Sequence, residues 1–134
     1  AVEAAHRGAR DPLEKLVAGT RAFVEFLFDH KAWSQIHVRS QASWAMRPEG
    51  AGAAALWDEG QRAHEEMLKE GIEAGLFCED DPTEMALMIR AMTRVQVVNA
   101  IAQGEDDVGV IADRLIARLK RMVCKDPTEL REVG

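Results

Sequence analysis

The chain has 134 residues, 47% hydrophobic and 30% charged, proportions of one ordinary globular domain that buries about two thirds of its unfolded surface without metal or disulfide staples. A balance of 17 basic against 23 acidic residues, net −6, argues against a nucleic-acid surface in this chain. Cys78 and Cys124 are too few for a disulfide framework or for a zinc site, which needs about four ligands. No apolar run approaches the roughly 18 residues of a membrane span and no signal-peptide pattern opens the chain, so the expected location is cytoplasmic, without a membrane partner.

Alanine, leucine, methionine and glutamate abound while strand-like aromatic and β-branched runs are scarce, which predicts an all-α chain of five main helices in a bundle. Three copies of one start signal mark boundaries: Asp11-Pro12-Leu13-Glu14, Asp81-Pro82-Thr83-Glu84 and Asp126-Pro127-Thr128-Glu129. The Asp carboxylate accepts from an orphan N–H, Pro supplies a helical φ where no N–H is missed, and Glu reaches back from the third position.

Residues 1–10 read as the end of a preceding helix or as disordered chain. From Asp11, the residues Leu13, Leu16, Val17, Phe23, Val24 and Leu27 recur at helical spacing and end near Asp29. A shorter stripe of Trp33, Ile36, His37, Ser40 and Trp44 stops at Arg47-Pro48-Glu49-Gly50. A second long helix is expected over residues 53–74, with Trp57, His64, Met67, Leu68 and Ile72 inward and Gly75 closing it. Gly60 and Gly71 inside it imply close packing or a cavity alongside. Residues 58–84 hold ten acidic side chains against Arg62 and Lys69, a charge run that reads as a solvated face.

The helix expected over 81–103 is apolar on most sides. Met85, Met88, Met92 and Val95 form one stripe and Leu87, Ala91, Val98 and Ile101 another, so it should be buried all round. The last helix, over 107–124, carries Val108, Ile111, Leu115, Leu119 and Met122 on one face. Residues 126–134 read as a tail or a short helix.

Catalytic signatures are missing. No Gly-flanked nucleophile turn and no phosphate-binding Gly loop occur. Only Glu3-Ala4-Ala5-His6 fits the Glu-x-x-His unit of a di-iron bundle, and His64-Glu65-Glu66 lacks the second histidine of a zinc-protease helix. The expectation is no enzyme, no metal and no cofactor. What remains is a set of aromatic, thioether and imidazole groups on inward stripes: Trp33, His37, Trp44, Trp57, His64, Met67, Met88 and Met92. Such groups form the adaptable apolar wall with a few orienting polar contacts that small-molecule cavities use, or simply fill a core. The inward ionisable groups on these stripes are histidines alone, so a neutral or weakly polar planar ligand is expected.

The order of these features resembles the C-terminal ligand-binding and dimerisation domain of TetR-family transcriptional regulators. The resemblance rests on Asp11-Pro12-Leu13-Glu14-Lys15-Leu16, on Phe26-Leu27-Phe28-Asp29-His30, and on Glu70-Gly71-Ile72-Glu73-Ala74-Gly75-Leu76-Phe77 running into Asp81-Pro82-Thr83-Glu84-Met85-Ala86. It covers residues 8 to 124. The family's N-terminal helix-turn-helix has no counterpart here, and the first residue is Ala1 rather than methionine, so the chain reads as an isolated regulatory domain, with residues 11–125 as its ligand-binding and dimerising part. The resemblance implies a homodimer whose last two long helices form a four-helix interface, through Leu87, Ala91, Val98, Ile101, Leu115 and Leu119. It also implies a small-molecule effector that alters DNA binding through the helix-turn-helix. A helical dimerisation or interaction module without a ligand, or a helical-bundle enzyme, are the alternatives.

Overall fold

The computed structural model describes residues 2–29 and 50–125. The stripe bearing Trp33, His37 and Trp44 and the third Asp-Pro start at Asp126 lie outside the described residues. Those described fold as an all-α bundle of five helices: α1 (Val2–Arg7), α2 (Pro12–Asp29), α3 (Ala51–Glu73), α4 (Pro82–Ala102) and α5 (Val108–Val123).

Local chemistry sets the helix ends. At α2, Asp11 Oδ1 accepts from Glu14 N at 2.8 Å, while the Glu14 carboxylate returns to Arg10 N at 2.7 Å. At α4, Asp81 accepts from the backbone of Thr83 and Glu84. There the reciprocal acceptor is Asp80, whose carboxylate takes Asp81 N at 2.7 Å. Both α3 and α4 close in the same way, with Gly75 (φ 75°) and Gly104 (φ 76°) in the left-handed conformation. Leu76 N and Glu105 N then donate back to Gly71 O and Ala100 O, each at 2.9 Å, which satisfies carbonyls left over at the helix end.

Helix α2 is the centre of the bundle and touches every other helix. Its Leu13, Leu16, Val24 and Leu27 meet Met67 and Leu68 of α3, Met85, Ile89 and Val97 of α4, and Ile111, Leu115 and Leu119 of α5 in one core. Each such side chain removed from water contributes about 1.5–3 kcal/mol. Leu115 and Leu119, expected at a dimer interface, are 0% exposed within this chain. The apolar face of α5 lies against α2, so a partner cannot reach them and the assignment of these two residues is corrected.

The loop after α3 is pinned to the end of α5. Cys78 N donates to Val123 O at 2.7 Å and Lys125 N to Leu76 O at 2.9 Å, and between these bonds Phe77 turns into the core. Its ring lies on Gly71, where a Cβ would sit 2.0 Å from Phe77 Cδ2. The inward glycine of α3 therefore marks close packing rather than a hollow.

Helix α4 is not buried all round. Met85, Ile89, Val97 and Ala100 face the core, but Leu87, Met88 and Val95 are 41%, 57% and 52% exposed, with Ala91 and Val98 half-buried between them. This helix is also long and apolar enough to cross a membrane by length and composition. Its polar residues Arg90 and Thr93 nevertheless lie on the buried side, inside the protein core.

Candidate functional site

Trp57 and His64, seven residues apart on α3, return to the same side of the helix and are 6% and 4% exposed. Facing them, α4 presents two arginines one turn apart. The Arg90 guanidinium lies over the Trp57 ring with Cζ 3.8 Å from the centroid. Its Nη1 donates to Trp57 O at 3.0 Å and to Gln61 Oε1 at 3.2 Å. Arg94 approaches the same ring at 4.9 Å and the Phe23 ring of α2 at 5.7 Å. Gly60 makes the approach of Arg90 feasible, since a Cβ there would lie 3.3 Å from Nη2 and 3.6 Å from Cζ. The cluster is thus two cations layered on aromatic faces, an arrangement the ring quadrupole favours.

Arg90 is 4% exposed. Burial, then the like charge of Arg94, brings its pKa down to about 10, with Asp58 acting in the opposite sense, so it stays protonated at neutral pH. Burial also lowers the pKa of Arg94. Among the described residues no carboxylate lies within ion-pair distance of Arg90. Its charge rests on two neutral oxygens and an aromatic face, and Nε has no hydrogen-bond partner. A buried cation without a counter-charge is costly to maintain.

His64 adjoins this cluster through Gly60. Its Nδ1 lies 2.8 Å from Gly60 O, and because a carbonyl only accepts, Nδ1 carries the proton. Burial lowers its pKa to about 4 against the upward pull of the Gly60 bond, with the charges of Arg90 and His6 adding to the depression. His64 is therefore neutral at pH 7. The His6 ring of α1 meets it edge-on, centroids 6.0 Å apart and planes at 66°. One contiguous set of contacts, His6 to His64 to Gly60 to Arg90 to Trp57, thus connects α1, α3 and α4.

Of the residues expected to line a ligand site, Trp57 and His64 belong to this cluster. Met67, 1% exposed, sits in the general core beside Leu68. Met92 is half-buried against that core. Met88 is 57% exposed and cannot line an interior site, because α4 turns that position outward; its assignment is corrected. Trp33, His37 and Trp44 lie outside the described residues. The expectation that the inward ionisable groups are histidines alone is also corrected, since Arg90 and Arg94 were missed. A signal existed for Arg90: Ala86, Ile89, Thr93 and Val97 stand at −4, −1, +3 and +7 from it, and all four are buried.

Other chemistry is sparse. Cys124 is buried, and burial raises its thiol pKa to about 11, the condition of an unreactive thiol. No group of three or more His, Cys, Asp or Glu residues among those described gathers as a metal site would. No protein-family model, curated protein or solved structure matches the chain.

Proposed function

We propose that this chain is the effector-sensing regulatory domain of a TetR-type transcriptional repressor in the cytoplasm, a homodimer that binds a small apolar or aromatic ligand. In this reading DNA is contacted only by a helix-turn-helix lying outside the chain. The observation that carries the proposal is the Trp57–His64–Arg90 cluster, a buried polar and aromatic group joined to α1 through His6. A domain that only had to fold would fill that place more cheaply with aliphatic side chains. A ligand displacing Trp57 or Arg90 acts on Gly60 and His64, and through His6 on α1, the helix the family resemblance makes the link to the DNA reader. Helix-turn-helix dimers need half-sites about one DNA turn apart, so a shift of a few ångströms in that link controls binding.

Dimerisation is proposed through α4, whose Leu87, Met88, Ala91, Val95 and Val98 form one apolar face. That same exposed face supports a second reading, a helical dimerisation module with no ligand. A thermal-unfolding screen with apolar and aromatic compounds discriminates the two. Saturable stabilisation by at least one compound, accompanied by a change in tryptophan fluorescence, supports the effector reading. No compound stabilising a chain that sediments as a dimer supports the module.

A further inference from the structure

We draw no further inference here: the strongest candidate, the exposed apolar face of α4 formed by Leu87, Met88 and Val95, belongs to the dimer contact already proposed, and nothing in the structure shows what covers it.

Discussion

His64 shows how one buried imidazole makes the fold sensitive to acid. Its pKa near 4 lies below the ordinary value of 6.5, so the unfolded chain takes up a proton before the folded one does. The stability this neutral histidine contributes is fully present above about pH 6.5 and is lost as pH falls toward 4, a difference of about 3 kcal/mol if the depression is complete. Chemical denaturation of the wild type should show stability falling between pH 6.5 and 4, and His64→Gln should lose that part of the slope. Equal slopes in the two proteins would remove His64 from the account. Gly71 acts through shape alone. A Cβ there would lie 2.0 Å from a Phe77 ring that is 1% exposed, so Gly71→Ala should cost about 2 kcal/mol in urea denaturation, although alanine is the better helix former by about 1 kcal/mol.

At the scale of the helix, the boundaries were legible because they depend on neighbours in sequence. Asp11 and Asp81 cap α2 and α4, and Gly75 closes α3, where their local patterns placed them. Asp81→Ala should lower stability by about 1 kcal/mol, measured by the same denaturation, with α4 otherwise unchanged. The orientation of α4 was not legible, because apolar residues on nearly every side give no preferred face. Met85 went inward and Met88 outward, a choice made by packing on α2 and α3. The α5 stripe raises a different ambiguity: periodicity says that Leu115 and Leu119 are covered, not whether their own chain or a partner covers them. Arg90 was missed for a third reason, since an arginine is normally read as solvated and its burial depends on Trp57 and Gly60, thirty residues or more away in sequence. The exposed α4 face carries its own prediction. Leu87→Glu, at a position 41% exposed, should leave the fold intact and turn a dimer into a monomer in sedimentation velocity; an undissociated dimer would place the interface elsewhere.

For the whole molecule, the buried polar cluster formed among the described residues touches α1, α3 and α4, while the outer side of α4 is exposed. In the proposed reading ligand sensing and dimerisation use adjoining faces of the same helix, since Arg90 and Leu87, three residues apart, are neighbours on its surface. Occupation of the cluster can then be felt both at the α1 end and at the subunit contact. The most direct measurement of this arrangement is native mass spectrometry of the full chain incubated with a mixed set of aromatic compounds, because it reads subunit number and bound ligand in one spectrum. The expected spectrum is a dimer that acquires up to two copies of one selected compound, one for each chain. A monomer, or a dimer that takes up none of them, would contradict it.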